Sequence, residues 1–216
     1  MTQLDPKNYV SLATAEMTTE LAYKLLTGVV VPRPVAWIST CSDDGVVNVA
    51  PFSSFNYVAH TPPMLAVNIS VQDDGALKDT ARNIKANGEF VVNVATRSSL
   101  DLMNASSALF APDASEAEHL GIELVPGQLV RPPRVAQSPV QMECRLSQIV
   151  PLGKGINTLY IGEIVMFHLD PSVYDGRHVN SVAIDPIARL GGPFYAALGE
   201  VFKRPRPPAP LRDTSL

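Results

Sequence analysis

The sequence predicts one mainly β domain, of the α+β class, built as an antiparallel barrel with short peripheral helices. Nineteen prolines and 13 glycines are spread along the 216 residues, and this density interrupts long helices. Short apolar segments rich in β-branched residues recur between them, which is the pattern of strands. Because 46% of the residues are hydrophobic and no linker or repeat divides the chain, we expect residues 1–216 to form a single domain.

Five segments carry the strand pattern and are bounded by Gly, Pro, Asn or Asp. Asp43, Asp44 and Gly45 follow the first segment and predict a hairpin turn, because glycine tolerates the positive φ of such turns. The segment 151–159 lacks the spacing and the Ser or Thr of a P-loop, so we interpret it as a hairpin loop. The five predicted strands are 34–41, 64–69, 89–95, 140–150 and 159–169.

Helices are predicted to be few and short. Thr18 and Thr19 can cap the segment TTELAYKLLTG, and Gly28 is expected to end that helix. The end of the chain is rich in proline and has little to bury. The remaining predictions are a helix over 80–87 closed by Gly88, a third helix over 98–109, and an arm or frayed end over 205–216.

Composition and charge exclude several classes of protein. A formal net charge of −4 offers no basic surface for nucleic acid, and no apolar run approaches the roughly 20 residues that span a bilayer. The first residues carry no export signal, so we expect a cytoplasmic protein that binds neither nucleic acid nor membrane. Cys41 and Cys144 have no CxxC partner, which indicates two reduced and buried thiols.

The patterns of common catalytic and metal sites are missing from the sequence. His60, His119, His168 and His178 have no ligand spacing, so no zinc site is expected. Neither the GxSxG elbow of serine hydrolases nor the GxGxxG fingerprint of dinucleotide-binding folds occurs. Because no acid–base or nucleophile set stands out, an enzyme with this sequence would leave its difficult step to a bound organic cofactor.

Lys78, Asp79 and Thr80 open the second predicted helix. The first N–H groups of a helix have no partner, and with a lysine and a threonine hydroxyl they can form a phosphate site. The alternative is an ordinary capped helix with a solvated lysine, and taken alone these residues favour that interpretation.

A second polar group follows the predicted strand that ends near Pro51. Ser53, Ser54 and Asn56 offer hydroxyls and an amide that can grip the edge of a flat polar ring, or can bond their own backbone in a turn. Trp37 is the only tryptophan, and core packing is its favoured interpretation. The less favoured interpretation is that its ring forms a wall against a planar ligand.

Seven segments, in order along the chain, resemble the flavin reductase-like family of FMN-binding split barrels, which includes flavoredoxin and flavin:NAD(P)H oxidoreductases. The resemblance implies a six-stranded Greek-key split barrel. It also implies a homodimer with one FMN per protomer near the subunit interface. The matching segments are 32–40, 48–56, 62–69, 78–93, 138–146, 161–165 and 188–202.

The resemblance also implies a set of cofactor contacts. Family members often carry an arginine where this chain reads SVQDDGAL over 70–77, and Asp73 and Asp74 add negative charge there. One charge-assisted phosphate contact would then be missing, which bears on FMN affinity more than on FMN identity. By position, the resemblance implies phosphate contacts at Lys78, Asp79, Thr80 and Asn83, ribityl and ring-edge contacts at Ser53, Ser54 and Asn56, an isoalloxazine border at Trp37, Ile38 and Ser39, and Arg189 near the pocket.

The function implied is an NAD(P)H-dependent flavin oxidoreductase. A transiently bound nicotinamide nucleotide would pass hydride to the flavin N5, and electrons would go on to a partner monooxygenase or another acceptor. Two alternatives stay open, because fold and cofactor do not determine the reaction. One is a flavoredoxin-like FMN electron carrier without direct NAD(P)H activity. The other is FMN-dependent oxidation or oxygenation of a small organic substrate.

Overall fold

The computed structural model describes residues 9–111 and 113–207, and a curved antiparallel sheet forms their centre. This sheet has seven strands, and two small sheets accompany it. The strands are β1 (Arg33–Pro34), β2 (Ala36–Cys41), β3 (Val47–Phe52), β4 (Phe55–His60), β5 (Pro63–Ser70), β6 (Glu89–Val94), β7 (Leu124–Val125), β8 (Arg134–Val135), β9 (Val140–Leu152), β10 (Asn157–Leu169), β11 (Ile187–Arg189) and β12 (Tyr195–Ala197).

The order of strands explains how the main sheet curls. The order is β3-β2-β6-β9-β10-β5-β4, so the two outer strands are β3 and β4. Only Ser53 and Ser54 separate these strands in sequence, and the sheet must therefore curve until its edges approach each other. The mainly β prediction is confirmed. Seven strands stand where six were expected, because the extended chain bends at the two serines and contributes a strand on each side.

All five predicted strands are present, and most differ by one or two residues at their ends. The hairpin after β2 is also present, with Gly45 at φ +89° and a hydrogen bond from Ser42 N–H to Val46 O. β9 and β10 form a second hairpin, and their pairing reaches Leu152 and Asn157, so its turn is shorter than predicted. The sequence interpretation did not identify β4 as a strand.

The helices are short, as predicted. The bounds of two differ from expectation, and the last two were not predicted. The helices are α1 (Thr19–Val29), α2 (Asp79–Asn87), α3 (Leu100–Ala105), α4 (Glu116–Leu120) and α5 (Ser181–Ile184), with 3-10 turns at Thr14–Glu16 and Arg97–Ser99. None of these helices in the described residues is long and apolar enough to cross a membrane.

Gly28 does not end α1, which continues through Val29. The predicted stop was wrong: Gly28 lies within the helix, and a Cβ there would meet no atom within 4 Å. The guanidinium of Arg33 instead caps the end of the helix. It donates hydrogen bonds to Thr27 O and Val30 O at 2.7 Å each.

The third helix was predicted over 98–109 and is much shorter, since α3 spans Leu100–Ala105 after a 3-10 turn. Residues 205–207 are exposed and lack regular structure, and the rest of the predicted arm, 208–216, lies outside the described residues.

Two hydrophobic clusters lie on opposite faces of β2. Ile38 points into the barrel, where it joins Phe52, Phe90 and other side chains of the main sheet. Trp37 points outward into a second cluster beneath the peripheral helices. Successive residues of a strand face opposite sides, so β2 is buried on both faces. Both cysteines are buried and free, as predicted.

Candidate functional site

The start of α2 is available to a ligand because no side chain caps it. Lys78 occupies the N-cap position with extended backbone and makes no capping hydrogen bond. Helical bonding begins where Arg82 N–H donates to Lys78 O at 2.9 Å, so the N–H groups of the three preceding residues point out of the helix. By contrast, Thr18 caps α1 by accepting from Leu21 N–H at 3.1 Å. The start of α2 thus keeps donors for an anion.

A cavity of about 420 Å³ lies beside this helix start. Lys78 lines it, and the Lys78 ammonium lies 6.0 Å from the centre of the Phe52 ring at the end of β3. Asp73 and Asp74 lie on the same cavity, so its cation shares the space with two acidic side chains. The cavity is lined by Ser70, Val71, Gln72, Asp73, Asp74, Lys78 and Leu109.

Asn68 is a site residue that the sequence interpretation missed. It lies on β5, where its N–H donates to Ser54 O at 2.8 Å and its amide donates to Asn157 Oδ1 at 3.2 Å. Its own Oδ1 is buried and has no hydrogen-bond partner among the described residues. A buried acceptor of this kind is costly unless a donor reaches it, which indicates a ligand or water at this place. In the sequence, Asn68 stands between Val67 and Ile69, which face the core. This alternation was the signal available for placing Asn68 on the other face of β5.

Of the residues predicted to contact the edge of a planar ring, Ser53 and Ser54 lie next to Phe52 in the structure. Ser53 and Ser54 join β3 to β4, directly after Phe52, whose ring lies near the Lys78 ammonium. Asn56 is exposed on β4, where its Oδ1 accepts from Tyr57 N–H at 2.9 Å. The chain therefore passes from the Phe52 ring beside Lys78 through the two serines to the contact with Asn68.

Thr80 and Asn83, two of the predicted phosphate contacts, have their side chains turned into the protein. Both side chains are buried, at 1% and 5% exposure, in a network of hydrogen bonds beneath α2. The Thr80 hydroxyl donates to Asn48 Oδ1 at 2.7 Å, and the Asn83 amide donates to the Thr40 hydroxyl at 3.0 Å. Thr80 can therefore offer its backbone N–H to a phosphate while its hydroxyl donates to Asn48, and phosphate contacts of Thr80 and Asn83 stay a prediction. The Asp79 carboxylate pairs with Arg82 on the same helix.

The structure also corrects the expected border of a planar ring. Trp37, Ile38 and Ser39 have no exposed surface. The indole N–H of Trp37 donates to the Ser106 hydroxyl at 2.9 Å, and the Ser39 hydroxyl donates to Pro133 O at 2.5 Å. These side chains belong to the core, because β2 is covered on both faces, and they offer no surface to a ligand.

Arg189 lies on β11, opposite Arg33 of β1. Its guanidinium stacks 4.5 Å from the centre of the Tyr195 ring and donates to Gly192 O at 2.6 Å. A role for Arg189 at the same pocket stays a prediction.

The only buried carboxylate near α2 is that of Glu116, among the described residues. It accepts from the Asn48 amide at 2.5 Å and from Val49 N–H at 3.0 Å. Burial raises the pKa of Glu116, these hydrogen bonds partly oppose the rise, and the negative charge of Asp79 adds to it.

The arrangement as a whole can hold an anion and the edge of a polar ring. It fits a phosphate-bearing flavin, since it joins a cation, free helix N–H groups and a buried acceptor without a partner. No cluster of three or more His, Cys, Asp or Glu able to hold a metal occurs in the described residues. The site therefore has the donors of a binding site.

The chain is similar to several known proteins over most of its length. A Bacillus subtilis (strain 168) protein, YwrF, is 39% identical over 198 residues, which cover 89% of this chain and 96% of the relative. The structure of nitrilotriacetate monooxygenase component B from Bacillus cereus matches with a TM-score of 0.88 at 36% identity, covering 92% of this chain and all of that chain. The Pseudomonas fluorescens 2-nitrobenzoate 2-nitroreductase NbaA matches with a TM-score of 0.82 at 30% identity, covering 92% and 96%.

The fold is that of a split barrel. A Shewanella frigidimarina NCIMB 400 flavin reductase chain with a split barrel domain matches with a TM-score of 0.77 at 21% identity, covering 89% of this chain and 96% of that one. The model of the flavin reductase like domain matches residues 28–183, which is well over half of the sequence. The chain therefore belongs to the flavin reductase like domain family.

Proposed function

We propose that this chain binds FMN and uses NAD(P)H to reduce it, passing the electrons to a partner monooxygenase or another acceptor. The observation that carries the proposal is the uncapped start of α2 beside Lys78, facing a cavity. The likeness to a monooxygenase component B at 36% identity over 92% of the chain supports the reductase role.

Specific groups of this chain would hold the cofactor. The Lys78 ammonium, which lines the cavity, and the N–H groups of Asp79 and Thr80, which helix bonding leaves free, would bind the phosphate. Asn68 Oδ1 would accept a hydrogen bond from the ribityl chain or the ring, which satisfies its buried lone pairs. Bound FMN would supply the two-electron redox chemistry that no side chain here provides.

The remaining residues would orient the ligand and exclude water. The bend at Ser53 and Ser54 carries two hydroxyls, and the bond from Asn68 N–H to Ser54 O holds that bend against β5. A fixed bend of this kind positions a ring without moving a proton. The chain's contribution is therefore geometry and hydrogen bonding.

A binding titration tests the cofactor part of the proposal. Lys78→Ala should weaken FMN binding by about tenfold, because a charge-assisted contact is lost, and should leave riboflavin binding unchanged. The readout is quenching of flavin fluorescence by the flavin-free chain. Lys85→Ala is the matched control, since Lys85 is exposed in the last turn of the same helix. Equal FMN affinity in wild type and Lys78→Ala would contradict the proposed phosphate contact.

An oxidation assay tests the reductase part separately. We expect the purified chain with added FMN to oxidise NADH or NADPH, followed by loss of nicotinamide absorbance. A rate at the level of the blank with both nucleotides, in a chain that still binds FMN, would leave the electron-carrier alternative.

A second candidate function is the reduction of a nitroaromatic acid. The likeness to a 2-nitrobenzoate 2-nitroreductase at 30% identity over 92% of the chain favours it. The test is consumption of 2-nitrobenzoate by the chain alone with FMN and NAD(P)H. Consumption without any partner protein would favour this candidate over supply of electrons to an oxygenase.

We also propose that two copies of the chain form a homodimer. Within the described residues α1 buries none of its own side chains, and Tyr23, Leu26 and Val29 are 62–72% exposed. Such an apolar surface on a helix is typical of a contact between subunits. Leu26→Glu should shift the chain to a monomer in analytical ultracentrifugation, whereas Lys24→Glu, on the same helix, should not. A monomeric wild type would contradict the proposal.

A further inference from the structure

Glu116 is linked to the start of α2 through a short series of buried hydrogen bonds. Its two oxygens hold the Asn48 amide and Val49 N–H of β3. Asn48 Oδ1 in turn accepts from the Thr80 hydroxyl in the first turn of α2 at 2.7 Å. The Asn48 side chain is 6% exposed and Thr80 is 1% exposed, so water does not compete for these bonds.

The charge of Glu116 determines which group donates and which accepts in each of these hydrogen bonds. An ionised carboxylate can only accept, so the Asn48 amide must donate to it and must turn its oxygen toward Thr80. The Thr80 hydroxyl then donates to Asn48 and keeps the first turn of α2 against β3. A protonated Glu116 could donate instead, so its proton alters the bonds that hold the helix start.

The charged groups around Glu116 disfavour further negative charge. Asp79, the first residue of α2, is close enough to raise the pKa of Glu116, although it pairs with Arg82. β3, on which α4 packs, contributes no titratable side chain. The other charged groups nearby are exposed, namely Asp101 on α3, Asp113 before α4, and Glu118 and His119 on α4.

We infer that Glu116 is a positioning residue for the anion site, and that it takes up a proton from solvent when a phosphate-bearing flavin binds at the start of α2. This inference rests on the proposed FMN site. A dianion bound beside Asp79 adds negative charge next to a buried carboxylate, and a protonated Glu116 avoids the repulsion. Binding and protonation therefore favour each other, since linkage is reciprocal.

The sign of the effect follows from this linkage. In wild type, FMN binding should weaken as pH rises, because the complex must then carry an ionised Glu116. In E116Q the side chain has no charge, so this contribution disappears. The phosphate of FMN titrates with a second pKa near 6 in both proteins, and a comparison between them removes its contribution.

The experiment is a set of fluorescence titrations of flavin-free protein with FMN from about pH 5 to about pH 8. We expect the ratio of the wild-type Kd to the E116Q Kd to rise by about fivefold across this range, a typical coupling between sites. E118Q, an exposed glutamate on the same helix, should follow wild type at every pH. Riboflavin, which lacks the phosphate, should show no such rise.

The outcomes separate the two proposals. Absence of FMN binding by wild type at every pH overturns the proposed FMN site itself. FMN binding with parallel pH profiles for wild type and E116Q overturns only the role of Glu116, and so does an equal rise with riboflavin. If E116Q does not fold, as judged by circular dichroism, wild type is titrated calorimetrically near pH 6 in two buffers of different ionisation enthalpy. Net proton uptake supports the inference, whereas net release, as the phosphate alone would give, contradicts it.

Discussion

The two carboxylates buried among the described residues, Glu143 and Glu116, are held in opposite ways. Glu143 lies on β9 with no exposed surface. It accepts from three successive backbone N–H groups, those of Gln128 at 2.7 Å, Leu129 at 2.6 Å and Val130 at 3.1 Å, and it pairs with His168 Nε2 at 2.7 Å. Burial by itself would raise the pKa of Glu143, but the hydrogen bonds outweigh it and the pKa lies below its usual value.

Glu116 has fewer donors and a like charge nearby. Two hydrogen bonds, from Asn48 and Val49, oppose the effect of burial, whereas Asp79 reinforces it, and the pKa of Glu116 is raised. Burial alone therefore does not decide the direction of the shift; the number of donors and the sign of the nearest charge do. Glu143 serves as a permanent anchor for the segment 128–130, whereas Glu116 sits where a change of protonation is tolerated.

The largest expected effect comes from removing the anchor. Glu143→Ala leaves three backbone N–H groups and an imidazole without their acceptor, so we expect a loss of about 3–5 kcal/mol in the free energy of unfolding. The measurement is urea denaturation at neutral pH. Glu163→Ala, at an exposed position on the neighbouring β10, should change stability by less than about 0.5 kcal/mol. Equal losses of unfolding free energy in the two variants would contradict the role of Glu143 as an anchor.

A smaller effect is expected from the partner of that anchor. His168→Ala removes one of four donors to Glu143, and the other three remain, so we expect a loss of about 1–2 kcal/mol. Its control is His60→Ala, since His60 is exposed on β4. The double variant with Glu143→Ala should lose less than the sum of the two single losses, because the side chains act as one unit. Additive losses would show that His168 acts independently of Glu143.

Features that depend on local pattern were predictable from the sequence. Alternation of apolar residues marked the strands, and the hydroxyl of Thr18 and the left-handed Gly88 marked the ends of helices, because these signals act within a few residues. Lys78 at the start of α2 was found in the same way.

Features that depend on which segments meet in space were not predictable. Gly162 resembles any strand glycine, yet a Cβ there would lie 2.5 Å from the Phe90 ring, because β10 lies close to that side chain. Thr80 has the chemistry of a phosphate ligand, and only the approach of Asn48 from another strand shows that its hydroxyl is used internally. Glu116 was not singled out in the sequence, since nothing in its sequence neighbours indicates that it is buried.

The smallest expected effect is the pH dependence of stability. It should have opposite signs for Glu143 and Glu116, because their pKa values are shifted in opposite directions. Since the folded pKa of Glu143 is lowered, its stabilisation is present above its unfolded pKa and is lost as pH falls through the folded pKa. Since the folded pKa of Glu116 is raised, the folded state is favoured at low pH, and this advantage is lost as pH rises through the folded pKa.

Unfolding free energies of wild type, E143Q and E116Q, measured from about pH 4 to about pH 7, should therefore diverge in opposite directions. The deficit of E143Q relative to wild type should shrink toward acid, whereas the deficit of E116Q should shrink toward neutral pH. We expect each change to be about 1 kcal/mol, since one pKa unit corresponds to about 1.4 kcal/mol. Deficits that move in the same direction would mean that burial, rather than the donors and charges around each carboxylate, controls both.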